Sequence, residues 1–596
     1  MCGIIGVIGH TDGAAKRVAK HLPSLKHRGP DYQGMEEGKR FVFGHTLLSI
    51  ICTTPVRQPI VASDKSWTLT YNGEIYNYLE LLADDKELRA RCTLSSDTQV
   101  LVEGLSLYGI DFVTRVNGMF AFAAFDHKTQ TGYLVRDRLG VKPLYYVSCE
   151  DAVFFASELK ALLGLSGKPK ELDPEGFYSY VRFRYPLGER TFFKGVKTLP
   201  PGSILKVNDQ AACLHRFWSV TPQLPFLGDY ADALSVIRDL LEDAVHIQMR
   251  SDRSFCTYLS GGLDSSYLTA IARQNKERLD TYSIGLVEKE FDESRYSSEV
   301  SARLGTNHHT YCLGPKEYRE ETEELVKFLG TPAGVPNQVA LKVLSRELSK
   351  THRCVLSGEG ADEIFGGYGR IFLLPGDWLK LQSAQAGKTG SDKSVLAKIE
   401  ARYGRRKFVD YPDFFLERYS YVGHTDVVVL LAPYFNKKEI MDASVSLEAE
   451  IRSLFSSWDA DLFTKQLLLF QKIHLPGLLF RLDSATMAHS VEGRVPFLDH
   501  RLVEFMNSLP WDYKIRMKQG IDKSRLANLL SDEISEKYDI PKANLKDLAQ
   551  GYVPNDIIWR KKVGFPIPPA YYAEVSSSNS KSPYFLWVQT NLRLCM

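Results

Sequence analysis

The sequence predicts two domains of different class, an α+β domain of packed strands followed by an α/β domain with a parallel sheet. A chain of 596 residues is too long for one core and has room for at least two. Short apolar runs broken by Gly, Asn and Asp fill the first ~200 residues, which is typical of packed strands. Beyond residue 231, strands, glycine-containing turns and helices follow one another, which indicates a parallel sheet covered by helices.

The first domain is predicted over residues 2–205. A turn at Pro200-Pro201-Gly202 closes it, and Pro222 and Pro225 mark a linker that we place at 206–230. The apolar runs predict strands at 41–50, 68–71, 120–125 and 133–136.

The second domain is predicted over residues 231–572. Apolar and charged residues at helical spacing predict a helix over 231–250, and short apolar runs predict strands at 257–259, 281–285 and 354–357. The polar stretch 383–406 is predicted to be an exposed insertion. The serine-rich end, residues 573–596, is predicted to be a loose tail.

Composition excludes several classes of protein. A net charge of +2 gives no electrostatic footprint for nucleic acid. The nine cysteines are scattered singly, so neither a disulfide scaffold nor a structural zinc site is indicated. No signal peptide is visible, and no apolar run reaches the ~18 residues of a membrane helix. We therefore expect a cytoplasmic protein that acts on small molecules, without nucleic-acid or membrane partners; a homodimer is compatible with the sequence.

Cys2 is the first candidate catalytic residue. Removal of Met1 would leave a thiol and a free α-amine on one residue. The amine titrates near pH 8 and can act as a general base, directly or through a water, which makes the neighbouring thiol an activated nucleophile. Alternatively, Cys2 is an ordinary packed cysteine.

Two further segments suit acyl-transfer chemistry. The Asn72-Gly73 step can present a side-chain amide and an unobstructed backbone N–H to a developing oxyanion, although Asn-Gly is also a strong hairpin-turn signal. Asp97 can bind a substrate ammonium, or it can cap the helix that begins near Thr98.

The first domain resembles the class II glutamine amidotransferases. The resemblance is carried by six ordered segments, which are Cys2-Gly3-Ile4, HRGPD at 27–31, NGEIYN at 72–77, Asp97, NGMFAFAAFD at 117–126 and RDRLGVKPLYY at 136–146. It implies an Ntn-hydrolase sandwich of αββα layers, in which Cys2 attacks the side-chain amide of glutamine and releases ammonia. It also implies that Asn72 and Gly73 form the oxyanion hole, and that Asn72, Glu74 and Asp97 bind glutamine.

One position departs from that family. Leu47 stands where the family usually carries an Arg that pairs with the α-carboxylate of glutamine. Leucine cannot supply this strong contact, and Arg28 and Arg57 are the candidates to replace it. The sequence therefore predicts weak use of glutamine, with free ammonia as a competent substitute.

The segment Leu259–Ser266, which reads LSGGLDSS, is the main motif of the second domain. Its two glycines let the chain turn closely around an anion, while serines and a helix N-terminus supply donors; the alternative is a tight strand–helix connection. A second motif, SGEGADEIFGGY at 357–368, contains Asp362. Asp264 and Asp362 suit Mg²⁺ that bridges phosphates, although a single aspartate is more often a surface or capping acid.

These motifs, with later segments in the same order, resemble the synthetase domain of glutamine-hydrolysing asparagine synthetases over ~230–570. LSGGLDSS looks like the PP-loop of ATP pyrophosphatases, so the resemblance implies an α/β parallel sheet of that type with added helices. It implies ATP and Mg²⁺, with Glu359 as general base or acceptor-organising carboxylate. Lys523 would stabilise charge on phosphate, or alternatively be a solvated lysine. The implied ATP-binding residues are Leu259, Ser260, Gly261, Gly262, Asp264, Ser265, Ser266, Ile284, Ser357 and Gly358.

The resemblance implies ATP-dependent conversion of aspartate to asparagine through an acyl-adenylate, with glutamine or ammonia as nitrogen donor. The segment 332–338 departs from the Asp-Pro-Ser type that is common there, so amidation of another carboxylate, on a uronic-acid sugar or a peptide, is the alternative. A regulatory or scaffolding protein with degenerate sites is a rival that Leu47 suggests. Glucosamine-phosphate synthases and amidophosphoribosyltransferases would share only the first domain.

Overall fold

The computed structural model describes residues 2–51, 56–94, 96–208, 211–387, 392–522, 526–561, 564, 567–572 and 582–596. Its strands are β1 (Gly3–Gly9), β2 (Tyr32–Gly38), β3 (Phe41–Leu47), β4 (Ile60–Val61), β5 (Trp67–Ile75), β6 (Gly118–Asp126), β7 (Thr131–Arg136), β8 (Tyr145–Ser148), β9 (Ala152–Ala156), β10 (Lys197–Thr198), β11 (Ser203–Val207), β12 (Ala212–Arg216), β13 (Phe255–Tyr258), β14 (Asp280–Leu286), β15 (Asn307–Leu313), β16 (Cys354–Leu356), β17 (Glu492–Arg494), β18 (Ile515–Met517) and β19 (Asp539–Pro541).

The helices connect and cover these strands. They are α1 (Ala14–His21), α2 (Tyr78–Asp84), α3 (Lys86–Arg91), α4 (Asp97–Tyr108), α5 (Leu159–Ser166), α6 (Pro174–Phe183), α7 (Tyr230–Gln248), α8 (Leu263–Gln274), α9 (Ser294–Leu304), α10 (Pro315–Leu329), α11 (Asn337–Leu348), α12 (Ala361–Phe365), α13 (Gly369–Phe372), α14 (Leu374–Gln385), α15 (Asp392–Tyr403), α16 (Tyr411–Tyr419), α17 (His424–Leu431), α18 (Lys437–Ser456), α19 (Leu462–Met487), α20 (His500–Ser508) and α21 (Trp511–Lys514), followed by Ser531–Ile534, Ala543–Ala549, Asn555–Trp559 and the C-terminal helix Pro583–Cys595. Within the described ranges, no helix is both long and apolar enough to cross a membrane.

Two antiparallel sheets face each other in the first domain. Their strand orders are β10-β8-β9-β1-β3-β2 and β12-β11-β7-β6-β5-β4. Alternate side chains of each sheet, such as Ile4, Phe43, Ala123 and Phe125, fill the space between them, as the two-residue period of a strand requires. Helices α1 and α5 cover the first sheet and α4 covers the second. The predicted αββα sandwich is confirmed.

The predicted linker at 206–230 begins too early. Strand β12 pairs antiparallel with β11 from Ser203↔Arg216 to Val207↔Ala212, so this part of the chain belongs to the second sheet. All five residues of β12 are exposed at the edge of the sheet, so no buried face imposes the apolar alternation that predicts a strand. The chain leaves the sheet after Arg216, and α7 begins at Tyr230.

The second domain contains a parallel sheet of order β15-β14-β13-β16-β17. In chain order, β13, β14 and β15 follow one another towards one edge of the sheet. The later strands β16 and β17 lie on the other side of β13. The strand order therefore reverses beside β13, and open α/β sheets bind ligands outside the carboxyl ends of strands at such a point. The predicted α/β class is confirmed.

The stretch 383–406 is not simply an exposed insertion. The end of α14 and all of α15 lie in it, and Val395 and Ile399 of α15 are buried. These two residues are four apart, so they share one helix face and can pack into the core although the stretch as a whole is polar. Residues 388–391 lie outside the described part of the chain.

The loose-tail prediction is wrong for the last residues, whereas 573–581 lie outside the described part. Residues Pro583–Cys595 form a helix, with the side chain of Ser582 accepting from the N–H of Phe585 at its start. Trp587 and Val588 are fully buried. Burial of the large aromatic side chain holds this helix against the rest of the protein. The serine-rich composition of the preceding residues does not reveal this packing.

Polar contacts join the two domains. Arg28 of the first domain donates to Asp483 of α19 at 3.0 Å, and Asn117 Nδ2 donates to Asp499 Oδ2 at 2.9 Å. Arg250, just after α7, donates to the carbonyl of Tyr76 at 2.6 Å. All three contacts lie on the side of the first domain that carries Cys2 and β5, so they hold that site against the second domain.

Candidate active sites

Cys2 lies at the start of β1 and is buried, with 5% of its surface exposed. Its backbone nitrogen donates to Asn72 Oδ1 at 2.9 Å. Asn72 belongs to β5 in the opposite sheet, so the sandwich itself brings together the two segments that the sequence places 70 residues apart. Burial raises the pKa of the Cys2 thiol to about 11, so the thiol is protonated near neutral pH and needs a base to react.

Asn72 and Gly73 present donors at this point. Asn72 is fully buried and, among the described residues, its Nδ2 has no hydrogen-bond partner, an arrangement that normally costs stability. The N–H groups of Tyr71 and Ile75 point to one edge of β5, where Gln58 and Asp97 accept them. Because the direction of N–H groups alternates along a strand, the N–H of Gly73 points to the same edge.

Two carboxylates lie beside these donors. Glu74 is buried, and in the described part of the chain its Oε2 has no hydrogen-bond partner, although Arg494 Nη2 lies 3.7 Å away. Burial, and then the charge of Glu492, raise the pKa of Glu74. Asp97 accepts from the hydroxyl of Tyr71 at 2.8 Å and from the N–H of Ile75, and burial raises its pKa. Both are placed to receive a cationic group.

Leu47 faces this site and supplies no charge to it. The register Gly3↔Thr46 places Leu47 opposite Cys2 across the β1–β3 ladder. Arg28 does not fill the gap: its guanidinium donates to the Cys2 carbonyl, Glu158 and Asp483. Arg57 lies over the ring of Tyr32, 5.6 Å from its centroid, and Tyr32 pairs with Leu47 in the β2–β3 ladder, so Arg57 stays a candidate to bind the carboxylate.

The second site is a cavity of about 1020 Å³ at the carboxyl ends of β13, β14 and β16. The predicted residues that line it are Leu259, Ser260, Gly262, Asp264, Ser265, Ile284, Ser357, Gly358, Glu359 and Asp362. The hydroxyls of Ser260 and Ser265 lie 2.9 Å apart across the turn, and α8 begins directly after Gly262. The turn thus points hydroxyls and a helix N-terminus into the cavity, which suits a phosphate chain.

Gly261 and Ser266 are not among the residues that line this cavity, and their contact with ATP stays a prediction. Gly261 has a φ of +74°, and a Cβ there would lie 2.5 Å from the nitrogen of Ser297. It therefore shapes the turn, which a larger residue would not allow. Ser266 is fully buried in α8 behind the turn.

Asp264 and Asp362 converge on Lys542, which sequence reasoning missed. The Nζ of Lys542 lies 2.6 Å from Asp264 Oδ1 and 2.6 Å from Asp362 Oδ1. Burial works against its charge, but the two aspartates raise the pKa of Lys542 above its usual value, so it stays protonated. The only sequence signal is its place directly after the short strand β19. Lys523 lies outside the described residues.

The same pair of aspartates fits Mg²⁺. Both carboxylates contact the same cationic group, so they are close enough to bind one metal ion. Mg²⁺ is usually held by one or two carboxylates together with phosphate oxygens. In this structure the ammonium of Lys542 takes those oxygens, and a bound Mg²⁺–phosphate group would share them with it.

Glu359 lies on another wall of the cavity and pairs with Arg481 of α19, which also donates to Asn337 Oδ1 at 3.0 Å. Asn337 belongs to the unusual 332–338 segment. The C-terminal helix holds that segment, because Tyr584 and Trp587 donate to the Gly334 carbonyl and Asn591 accepts from the Ala333 N–H.

Comparison with known proteins agrees with this division of the chain. A family model described as asparagine synthase matches residues 236–578, and one described as a glutamine amidotransferase domain matches 1–218. Asparagine synthetase (glutamine-hydrolyzing) 1 of Bacillus subtilis (strain 168) is 29% identical and covers 95% of this chain and 87% of its own length. Asparagine synthetase (glutamine-hydrolyzing) 3 of the same organism is 29% identical, with 99% and 90% covered. Amidase chry2 of Gibberella zeae is 27% identical, with 90% and 86% covered.

Proposed function

Because the chain belongs to the asparagine synthase family, we propose that it amidates a carboxylate in an ATP-dependent reaction, with aspartate as the acceptor and glutamine or ammonia as the nitrogen source. The observation that carries this proposal is the convergence of Asp264, Asp362 and Lys542 beside the turn after β13, in one cavity with Glu359. The buried Cys2–Asn72 pair in the other domain supplies the matching nitrogen-releasing chemistry.

In the first site, the thiol of Cys2 attacks the side-chain amide of glutamine. Once Met1 is removed, the α-amine of Cys2 takes the thiol proton, directly or through a water. Asn72 Nδ2 and the Gly73 N–H stabilise the oxyanion, and their fixed positions require no rearrangement during the reaction. The glutamyl thioester forms as ammonia leaves, and water then releases glutamate.

In the second site, an oxygen of the acceptor carboxylate attacks the α-phosphorus of ATP and pyrophosphate leaves. Mg²⁺ held by Asp264 and Asp362 would neutralise charge on the phosphates. Lys542 adds a fixed positive charge at the same place, and Glu359 organises the acceptor and takes the proton that ammonia loses. Ammonia attacks the acyl carbon and AMP leaves. Exclusion of water protects the adenylate from hydrolysis.

The second candidate is amidation of a carboxylate on a larger molecule. Amidase chry2, whose name does not refer to asparagine, is similar over most of the chain. The 332–338 segment carries no acidic residue, so it offers no carboxylate for the α-ammonium of aspartate. Aspartate remains the first candidate because the two asparagine synthetases are 29% identical over 95% and 99% of the chain, against 27% over 90% for amidase chry2.

The test is mass spectrometry of the products from ATP, Mg²⁺, glutamine or ammonium, and a panel of carboxylic acids, together with a pyrophosphate assay. We expect Cys2→Ala to abolish glutamine-driven synthesis and to leave ammonia-driven synthesis within a factor of two or so, because the thiol serves only nitrogen release. Asp264→Asn should abolish pyrophosphate release with either nitrogen source, since it removes an oxygen ligand for Mg²⁺–phosphate.

The two variants act as controls for each other, because each leaves the other half-reaction intact. Glutamine-driven synthesis that survives in Cys2→Ala would refute the nucleophile. Failure of every acid to release pyrophosphate from the wild-type enzyme would refute the amidation itself.

A further inference from the structure

Arg184 belongs to the first domain, but its side chain lines the cavity of the second domain. It directly follows α6 and lines the same cavity as Glu359 and Arg481. Its φ is +72°, and its N–H donates to the Tyr180 carbonyl. Glycine usually occupies this position after a helix, so the arginine is held in a backbone conformation that side chains disfavour.

Aromatic rings, rather than carboxylates, surround the guanidinium. Its Cζ lies 3.8 Å from the ring centroid of Tyr421, and the rings of Tyr419 and Tyr584 pack against Tyr421. Nη2 lies 3.2 Å from Nδ1 of His474 and 3.3 Å from its Nε2, so the guanidinium also contacts the imidazole ring.

Among the described residues, no carboxylate oxygen comes within ion-pair distance of Arg184. Glu363, which also lines the cavity, lies 3.7 Å from His474 Nε2. A partly buried cation that lines a cavity, and that has no carboxylate at ion-pair distance in the part of the chain that the structure describes, can pair with an anionic ligand.

The position suits an acceptor substrate. His474, Leu478 and Arg481 recur along one face of α19 and all line the cavity. His474 and Arg481 are seven residues apart, or about 10 Å along the axis, so Arg184 lies roughly that far from the Glu359–Arg481 pair. A small substrate that binds between them can present one carboxyl to the phosphate side and another group to Arg184.

We propose that the acceptor carries a second negatively charged group besides the carboxyl that is amidated, and that Arg184 binds it. Arg184 is thus a specificity-determining residue that the chain before α7 contributes to the synthetase cavity. This inference rests on the proposed function, since it assigns the acceptor of that reaction, and it includes aspartate as one member of a wider class.

The experiment compares succinate with succinamate, in which one carboxylate is replaced by a neutral amide of the same shape. Binding to the full-length protein is measured by calorimetry with Mg²⁺ and α,β-methylene-ATP, which cannot release pyrophosphate. We expect the wild type to bind succinate on the order of 10- to 100-fold more tightly than succinamate, as a charge-assisted hydrogen bond allows. Arg184→Gly should abolish this preference, while Arg184→Lys should keep part of it.

Arg184→Gly suits the test because glycine adopts a φ of +72° without strain, so the variant should fold. A single cooperative melting transition, and glutamine hydrolysis in the separate first site, show that the variant has folded. A wild type that shows no preference for succinate, or that binds neither probe, would overturn the proposal, and so would a preference that survives in Arg184→Gly.

The experiment distinguishes failure of the anion site from failure of the proposed amidation. If succinate binding depends on Arg184 but no acid releases pyrophosphate, the anion site stands and the amidation fails. If acids with a single charge release pyrophosphate as well as diacids do, and Arg184→Gly has no effect, the amidation stands and the anion site fails.

Discussion

Single residues decide how well the first site can use glutamine. Asn72 Oδ1 accepts from the backbone nitrogen of Cys2, and Nδ2 has no hydrogen-bond partner among the described residues, as the proposed oxyanion hole requires. Glu74 and Asp97 suit the amino end of the substrate. For the carboxylate end the structure provides Leu47 opposite Cys2, and it commits Arg28 to other partners. The prediction of weak glutamine use therefore stays.

We expect Leu47→Arg to lower the KM for glutamine on the order of 10-fold or more, because a guanidinium at this position can pair with the α-carboxylate in two hydrogen bonds. The value of kcat should change little, since the contact is the same in the ground and transition states. Steady-state glutaminase assays measure both. Leu47→Met is the matched uncharged control, and an unchanged KM in Leu47→Arg would show that another group already binds the carboxylate.

At the scale of elements, the C-terminal helix supports the acceptor side of the cavity. Trp587 and Asn591 each contact the 332–338 segment, and Trp587 is fully buried. Asn337, in the same segment, accepts from the Arg481 that pairs with Glu359. A chain of direct contacts thus leads from the last helix to the cavity wall that carries Glu359, so this helix supports the shape of the cavity.

We expect Trp587→Ala to destabilise the second domain by about 3–5 kcal/mol, the usual cost of a large cavity in a core. The acceptor should also bind more weakly, because the Gly334 carbonyl loses a donor. Chemical denaturation followed by fluorescence, and the acceptor dependence of pyrophosphate release, measure the two effects. Leu594→Ala on the same helix is the control, since Leu594 is 42% exposed. Equal stability of the two variants would contradict a structural role.

At the scale of the whole molecule, Arg28 joins the nucleophile segment to both domains. It donates to the Cys2 carbonyl, to Glu158 of the first domain and to Asp483 of the second. Burial alone would raise the pKa of Glu158, but His27 and Arg28 lower it to about 2. The folded protein therefore releases this proton more readily than the unfolded chain does, so the ionised carboxylate stabilises the fold.

The pH dependence follows from that shift. The contribution of Glu158 is complete above the ordinary glutamate pKa, about 4.3, and is lost as pH falls towards 2. We expect Glu158→Gln to be less stable than the wild type at pH 7 and to lose less stability between pH 5 and pH 3. Urea denaturation at several pH values measures this. Glu171→Gln, in an exposed ion pair with Lys194, should keep the wild-type slope. A wild-type slope in Glu158→Gln would contradict the linkage.

The sequence by itself determined the two fold classes and most residues of both sites. Periodicity of two and strand–turn–helix succession are local properties, and the motifs around Cys2, Asn72, Asp264 and Asp362 are contiguous in the chain. It erred where local composition does not reveal packing: the exposed strand β12 pairs at a sheet edge, α15 buries Val395 and Ile399, and the C-terminal helix buries Trp587.

Only the tertiary structure decided which distant side chains meet. Lys542 and Asp264 are 278 residues apart, and no pattern in the chain pairs them before the sheet places β13 beside the strands that follow it. In the sequence, nothing distinguishes Arg184 from the other Lys and Arg residues, which number 74 in total. In the fold, its position directly after α6 places it in the cavity wall of the other domain. Local sequence fixes the shape of each element, whereas burial of apolar faces against one another brings those charges together.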